Sequence, residues 1–260
     1  MSSFDQGLAG MVSLQAINEW IGVINSNLGG SNRTAYKKTT VSFGGGVAQI
    51  YRDPIAKANG VQVPDSTLKV SHTSIDFSQG TIIHDGVLTH LAISGDAFFY
   101  VWDDRTLTPH FTRDGDFFWV PDDPNAPTQF ELHNQEGLVV IDSGINRITR
   151  LATTKAEDVV LTTGLNTVSG LPPAMIRFPN NQGLKFSKFG STIFDAAPGT
   201  FTLANFISDV EIVSQALESS NAALNDTLPE LSLAQKLFSA VSKIINVHNS
   251  NLDTVVNLIR

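Results

Sequence analysis

The last thirty residues carry the feature that most constrains the fold, an apolar residue at every third or fourth position. These alternating steps run along the segment from Glu230 to Arg260. The stripe consists of Leu231, Ala234, Phe238, Val241, Ile245, His248, Leu252, Val255 and Ile259. A mean spacing of 3.5 residues predicts a helix that packs one side against another helix, as in a coiled coil. Such a helix would be about 45 Å long. Because the rest of its surface is polar but weakly charged, we expect it to have a partner.

His248 is the one polar residue on this stripe. It either sets the register of helix pairing or is a tolerated residue at the seam.

The N-terminal residues 3–28 show the same period and predict a second helix. Its stripe consists of Leu14, Ile17, Ile21, Ile24 and Leu28, and Gly29-Gly30 is typical of a helix C-terminus. Two interpretations follow. Both helices could fold as surface helices onto a β core, or they could pair with each other and with copies from other subunits. The second interpretation predicts a subunit interface formed by Leu14, Ile17, Ile21, Ile24, Leu28, Leu231, Phe238, Val241, Ile245, Leu252, Val255 and Ile259.

The middle of the chain predicts a β domain. Residues 31–47 form a polar, extended connection that ends in Gly44-Gly45-Gly46, which we interpret as a flexible connector. Short apolar runs separated by turn residues follow, as expected of antiparallel strands in a barrel or sandwich. The strand-like runs are 81–83, 91–93, 98–102, 117–120, 129–132 and 138–141. Residues 161–200 are rich in Gly, Pro, Asn and Ser and predict irregular structure.

A weak helical pattern covers residues 209–228, and Pro229 predicts a kink or a new helix start. The predicted class is therefore α+β. Residues 1–30 and 210–260 would form a coiled-coil-like helical domain, 31–47 an extended linker and 48–209 the central β domain.

Composition excludes several classes of function. The formal charge of −8 argues against nucleic-acid binding, and the absence of cysteine excludes disulfides and thiolate metal sites. Because the sequence contains no apolar run of membrane-spanning length, we expect no direct membrane insertion. The N-terminus lacks the features of a cleaved signal peptide, so export would use another route.

No motif points to catalysis, a metal or a cofactor. The six histidines have no metal-ligand spacing, and the aspartates from Asp103 to Asp123 stand where turns are expected. We therefore expect no enzyme activity, no cofactor and no metal. The aromatic runs Phe98–Trp102 and Phe117–Trp119 suggest the core of a sheet. Alternatively they could form a ligand platform, which would make the chain a secreted, β-rich carbohydrate-binding module.

Several stretches, in order along the chain, resemble the bacterial flagellar rod and hook protein family. The central matches are to the patterns D-F-S-Q-G, L-A-I-x-G-x-G-F-F and Y-T-R-D-G-x-F. The matching segments are 24–38, 76–80, 91–99, 111–117, 178–190, 217–221 and 235–238. The chain departs from the family at Gly29-Gly30, Ala35-Tyr36, Ala97 and Pro229.

The resemblance implies a structural subunit of the flagellar basal body, of the shorter, distal-rod type. In that family terminal helices form an inner tube, a β domain forms an outer layer, and type III export uses no cleaved signal. The implied partners are copies of the same chain and other rod and hook proteins. The departures leave open a relative that forms another extracellular filament.

Overall fold

The protein combines two long helices with short strands. The computed structural model describes residues 3–46, 67–197, 199–200 and 210–258. Helix α1 spans Ser3–Gly30 and helix α2 spans Leu224–Leu258. The strands are β1 Thr39–Gly46, β2 Thr67–Ile75, β3 Ile82–His84, β4 Leu91–Ser94, β5 Phe98–Asp103, β6 Thr108–Thr112, β7 Phe117–Pro121, β8 Gln129–Asn134, β9 Val139–Val140, β10 Thr149–Leu151, β11 Met175–Ile176, β12 Lys185–Ser187, β13 Gly190–Asp195, β14 Glu211–Ser214 and β15 Ala216–Glu218. Short 3₁₀ turns occur at Ala156–Asp158 and Asn181–Gly183. The predicted α+β class is confirmed.

The central sheet has nine strands, and its strands pair in an antiparallel arrangement, as predicted. Its order is β10-β8-β9-β5-β6-β13-β12, with β11 beside β5 and β7 beside β8. Three smaller sheets pair β1 with β2, β4 with β14, and β3 with β15. Hydrophobic alternation found β3, β4, β5, β7, β8 and β9 correctly, because each of these strands lies between turn residues.

Strand β5 is buried on both faces and joins two hydrophobic clusters. Phe99 and Val101 belong to one cluster, whereas Phe98 and Tyr100 belong to the other. Alternate residues of a strand point to opposite faces, so this aromatic run forms two layers of core. The interpretation of residues 98–101 as sheet core is therefore confirmed.

The chain divides into two compact units. The first consists of Met1–Leu28, Thr39–Ser74 and Ala223–Arg260, and the second of Gly29–Lys38 and Ile75–Ala222. The first unit thus contains nearly all of both helices and of the β1–β2 pair. The second contains the nine-stranded sheet and the pairs β4–β14 and β3–β15.

Hydrogen bonds and one aromatic contact connect α1 to β1 and β2 within the first unit. The Asn27 side chain donates to Thr39 O at 2.8 Å and accepts from Thr39 N at 2.9 Å. Ser13 Oγ accepts from Leu68 N at 3.0 Å. Trp20 packs edge-to-face on Phe43, with their ring centroids 5.4 Å apart. Because Asn27 and Ser13 are both buried, these hydrogen bonds satisfy groups that would otherwise destabilise the unit.

The two helices approach each other closely at glycines of α1. A Cβ atom added at Gly10 would lie 2.7 Å from Ile245 Cγ1, and one added at Gly7 would lie 3.4 Å from His248 Cδ2. A larger residue at Gly10 would therefore push Ile245 away.

The prediction of a weak helix over residues 209–228 is wrong for most of its length. Strands β14 and β15 occupy 211–218, and Gln215 between them has a φ of 55°. Each strand pairs with a segment more than a hundred residues earlier, β4 or β3. Non-local pairing overrides the local pattern here.

Three further expectations are corrected. Helix α2 begins at Leu224, so Pro229 stands in its second turn and does not start a new helix. Gly44, Gly45 and Gly46 lie in strand β1 and do not form a connector. The region 161–200, expected to be irregular, contains strands β11, β12 and β13. β11 and β13 pair with β5 and β6, which the local composition of this region does not show.

Candidate functional site

The predicted interface residues of α1 are at least partly buried within a single chain. Ile17 and Ile24 are each 1% exposed, and Leu14, Ile21 and Leu28 are half-buried. This stripe is therefore largely covered without a second copy. Its assignment to a subunit interface stays a prediction.

The corresponding residues of α2 are less well covered. Half-buried are Leu231, Phe238, Val241, Ile245 and Leu252. Val255 is 52% exposed, and Ile259 lies outside the described residues. We call the five half-buried residues the inner stripe. Near its middle, Ile245 lies against Gly10 of α1.

A second apolar stripe of α2 is exposed, and sequence reasoning missed it. Its residues are separated by four, seven, three and eleven positions, which are all sums of the same steps of three and four. This outer stripe consists of Leu233 (52% exposed), Leu237 (39%), Ile244 (65%), Val247 (60%) and Leu258 (81%). The signal was present in the sequence, since these residues occupy two further positions of the same heptad. A helix with apolar residues on two sides has more apolar surface than one neighbouring helix can cover.

In the second unit, several motif segments meet at one buried carboxylate, Glu218 of β15. Lys37 Nζ donates to Glu218 Oε1 at 2.6 Å, and Arg113 Nε donates to Oε2 at 2.9 Å. Gly80 N also donates to Oε1, at 2.8 Å. Lys37 and Glu218 are 0% exposed and Arg113 is 2% exposed. We call Lys37, Arg113 and Glu218 the charge cluster.

Backbone carbonyls complete the surroundings of the two cations. Arg113 Nη1 donates to Gly95 O at 2.6 Å and to Ala97 O at 2.5 Å. Lys37 Nζ donates to Ser78 O at 2.7 Å. The cluster therefore joins the loop after α1, the D-F-S-Q-G segment, the turn after β4 and the end of β6.

Burial determines the protonation behaviour of Lys37. Loss of hydration lowers the pKa of its ammonium group, and the carboxylate of Glu218 opposes this effect. Arg113 lowers the pKa of Lys37 further, because two cations share one carboxylate. Removing the carboxylate would therefore leave two buried positive charges.

Asn221 connects the same segments through its side-chain amide. Its Oδ1 accepts from Lys38 N at 2.6 Å, while its Nδ2 donates to Asp76 O at 2.8 Å and to Ser78 O at 3.0 Å. One amide thus satisfies backbone groups of two loops.

Two glycines of the motifs stand where a side chain does not fit. A Cβ at Gly80 would lie 1.9 Å from Ser219 O, and one at Gly115 would lie 1.6 Å from Leu91 O. Close approach of two backbones requires glycine at both positions.

The resemblance identified these segments, but sequence reasoning did not find that Lys37, Arg113 and Glu218 form one ion cluster. No local pattern distinguishes these residues, since Lys38 follows Lys37 and Asp114 follows Arg113. Only the fold shows that they meet, because 181 residues separate Lys37 from Glu218.

Asp114, in the turn between β6 and β7, has an unusual protonation equilibrium. Burial raises the pKa of its carboxyl group from 3.8 to about 6, although hydrogen bonds from the Thr34 side chain and Asp116 N act in the opposite direction. Nearby Asp116 and Glu136 raise this pKa further. The ionised carboxylate is therefore less stable in the folded chain than in the unfolded chain.

We expect Asp114→Asn to raise the free energy of unfolding near neutral pH by up to about 3 kcal/mol. Because the pKa of Asp114 is raised on folding, the folded state binds its proton more tightly. The contribution of Asp114 to stability is then fully present below about pH 4 and is lost progressively as the pH rises through about 6. Urea unfolding across this range should show the loss in the wild type and a flatter profile in the variant.

Asp122→Asn is the control for this prediction. Hydrogen bonds from the Thr128 side chain and Gln129 N lower the pKa of Asp122 to about 2. This carboxylate stabilises the fold above its ordinary pKa, so its removal should lower stability at neutral pH. A gain in stability from both variants would contradict the assignment for Asp114.

Three other kinds of site were considered for the part of the chain that the structure describes: a metal site, a membrane span and a ligand platform. No three histidine or acidic side chains converge there in a way that could hold a metal ion. Neither helix is both long enough and apolar enough over its described residues to cross a membrane. The rings proposed as an alternative ligand platform lie mostly inside the sheet: Phe117 is fully buried, and only Phe118, at 38%, is substantially exposed.

Comparison with known proteins gives a consistent picture. No family model matches the chain. The flagellar hook protein FlgE of Helicobacter pylori is 32% identical over 144 residues, which cover 51% of this chain and 18% of the hook protein. The flagellar basal-body rod protein FlgG of Bacillus subtilis is 28% identical over 280 residues, covering 100% of both chains. FlgG of Borreliella burgdorferi is 26% identical over 259 residues, covering 92% of this chain and 93% of the rod protein.

The chain thus spans a small part of the hook proteins that it matches and essentially all of the rod proteins. The similarity to rod proteins includes the segments that form the charge cluster. The chain is homologous to flagellar hook and basal-body rod proteins, and these homologues support its membership of the rod and hook family.

Proposed function

We propose that the protein is a non-enzymatic structural subunit that assembles head-to-tail into a helical tube, the rod of a bacterial flagellar basal body. Its similarity to basal-body rod proteins along its whole length supports this proposal. Its place would be the exported axial structure of the basal body. Its partners would be copies of itself and other rod and hook proteins, without nucleic acid or membrane insertion.

The outer stripe of α2 is the observation that carries the proposal. Burying one leucine or isoleucine side chain contributes about 1.5 to 3 kcal/mol, so these exposed residues represent a large unused contribution to stability. Exposed apolar surface of this extent marks an interaction site. Glu230, Lys236, Lys243 and Asp253 are the only charged residues of α2 from Glu230 to Leu258. A neighbouring helix of low charge could therefore cover the outer stripe without burying an unpaired ion.

The inner and outer stripes would have different roles: the inner stripe contacts α1 of the same chain, and the outer stripe contacts other copies. We infer that α1 and α2 pair as a coiled-coil-like helical domain, with Gly10 allowing the close approach of Ile245. The outer stripe then contacts helices of other copies. The predicted interface residues that are less covered in one chain, such as Val255, would be completed between copies. Different surfaces on the two partners generate an open helical assembly.

The β unit would form the outer layer of the tube. Its core, buried on both faces of β5, and its buried charge cluster would stabilise this layer. No described feature of this unit points to catalysis.

Electron microscopy of the concentrated, purified protein tests the proposal. We expect tubes or fibres of uniform diameter whose formation has a critical concentration, measured by sedimentation. Monomers that persist at all concentrations under varied salt and pH would contradict it.

A further inference from the structure

The hairpin between β5 and β6 holds an aliphatic residue in a strained conformation at its tip. Leu107 has a φ of 54° and is 69% exposed. The buried carboxylate of Asp103 fixes the turn, because it accepts from Arg105 N at 3.0 Å and from Thr106 Oγ1 at 2.7 Å. Leu107 N donates to Asp103 O at 2.8 Å. The backbone of Leu107 is therefore held in this turn, and its side chain is exposed.

Leu107 lowers the stability of an isolated chain in two ways. The left-handed conformation disfavours any residue with a Cβ, and glycine or asparagine would adopt it more easily. In addition, its isobutyl group is exposed to water. A strained conformation held at an exposed position is an observation that suggests a functional contact.

A cavity elsewhere in the same unit has a size and lining that fit such a side chain. It has a volume of 310 Å³ and lies between the loop after α1 and the β3–β15 pair. Ile83, 56% exposed, and Leu217 form its apolar part. Glu218 also lines it, but this carboxylate is already neutralised by the two cations of the charge cluster. An apolar group could therefore enter without isolating a charge.

The charges around the tip and around the cavity are complementary. Asp104 and Arg105 are exposed in the same turn as Leu107, and Arg33 and Asp85 are exposed where they line the cavity. Within one chain Asp104 already pairs with Arg147 Nη2 at 2.8 Å and Asp85 with His90. Arg105 is therefore the charge at the tip that would face Asp85 of the second copy. Such a pair at the rim of a contact selects one orientation and one partner.

We propose that Leu107 of one copy inserts into the Ile83–Leu217 cavity of a second copy. The partner is thus the chain itself, and the contact is a second, β-domain interface in the assembly. Because the tip and the cavity are different surfaces, the contact is head-to-tail and extends without closing on itself. This inference rests on the proposed function, since it supplies the lateral contact between outer-layer domains.

Disulfide trapping tests this contact directly, because the chain contains no cysteine. One preparation carries Leu107→Cys and another, with a different tag, carries Ile83→Cys. The two are mixed, assembled and mildly oxidised. Each variant has one thiol, so every disulfide joins two chains. Random pairing of equal amounts gives twice as much mixed product as either same-site product, and we expect the mixed 107–83 product to exceed that ratio clearly.

Ile145→Cys provides the matched control. Ile145 is also an exposed aliphatic residue in a turn, with a φ of 67° and 48% exposure. Mixed with Ile83→Cys it should give no excess of the mixed product. An excess equal to that of Leu107→Cys, or a dominant 107–107 product, would overturn the proposal.

A second measurement avoids thiols. Leu107→Gly should leave the folded monomer at least as stable, because it relieves the left-handed conformation, and should raise the critical concentration about tenfold or more. Ile145→Gly should leave the critical concentration unchanged. If the wild type polymerises and Leu107→Gly has the same critical concentration, the proposed Leu107 contact is wrong but the proposed assembly is not contradicted. If the wild type never polymerises, the proposed function itself fails.

Discussion

Replacing Glu218 with glutamine is expected to lower the free energy of unfolding by about 3 to 5 kcal/mol. The wild-type cluster places two cations beside one carboxylate, all three fully or almost fully buried. Glutamine keeps the shape of the side chain but removes the negative charge, so Lys37 and Arg113 remain as uncompensated charges in the interior. Its amide group would also present N–H donors to other donors. Chemical denaturation, performed at concentrations below the onset of assembly, measures the loss.

Glu131→Gln is the matched control, since it also removes a carboxylate that binds an arginine. Arg147 Nη1 donates to Glu131 Oε1 at 3.0 Å, but the side chain of Arg147 is 47% exposed. Water replaces much of this interaction, so the change should stay within about 1 kcal/mol. Equal losses from the two substitutions would contradict the role assigned to Glu218.

Lys37→Met tests whether the lysine or the carboxylate of Glu218 holds the charge cluster together. It removes one of the two cations and leaves Arg113 and Gly80 bonded to Glu218. The pKa of Lys37 is lowered because burial outweighs the attraction of Glu218, so its charge is costly to hold in this position. We therefore expect a smaller loss than from Glu218→Gln. A larger loss would mean that Lys37, not Glu218, holds the segments together.

The sequence predicts those parts of the fold that depend on local patterns. Both helices follow from apolar residues at steps of three and four, and α1 ends at Gly30, as Gly29-Gly30 indicates. The strands around Phe98–Asp103 and Phe117–Pro121 follow from aromatic and β-branched runs. These elements are predictable because each pattern reports which side of the same segment is buried.

The parts that sequence reasoning missed depend on distant partners. Ile212 and Val213 read equally well as one turn of a helix, but they pair with Ile93 and Ala92 of β4. The convergence of Lys37, Arg113 and Glu218 is non-local in the same way, so no spacing within a segment reveals it.

The departures from the family motifs become intelligible in the same structure. A Cβ at Gly30 would lie 2.5 Å from the ring of Tyr36, so the two unusual residues fit each other. Ala35, where the family has glycine, has a φ of 52°. Ala35 thus has a left-handed backbone, which glycine would adopt more easily.

Ile244→Asp is expected to abolish polymer formation while the monomer stays folded. Ile244 is 65% exposed in the single chain, so the substitution should change the free energy of unfolding by only about 0.5 kcal/mol. In the assembly, however, the carboxylate would be buried among apolar side chains of a neighbouring copy without a cation. Burying an unpaired charge costs several kcal/mol for each subunit. Sedimentation and electron microscopy measure polymer, and circular dichroism measures the fold.

Two neighbouring substitutions show which side of α2 forms the contact between copies in the polymer. Asn246→Asp adds the same charge two residues away, at an exposed position on neither stripe, and should leave assembly intact. Ile245→Asp changes the inner stripe, where Ile245 lies against Gly10, and should both destabilise the helical unit and abolish polymer. A monomer from Ile244→Asp with wild-type stability would therefore assign the contact between copies to the outer stripe. Normal polymer from this variant would show that the exposed stripe is not the assembly surface, whatever the inner stripe does.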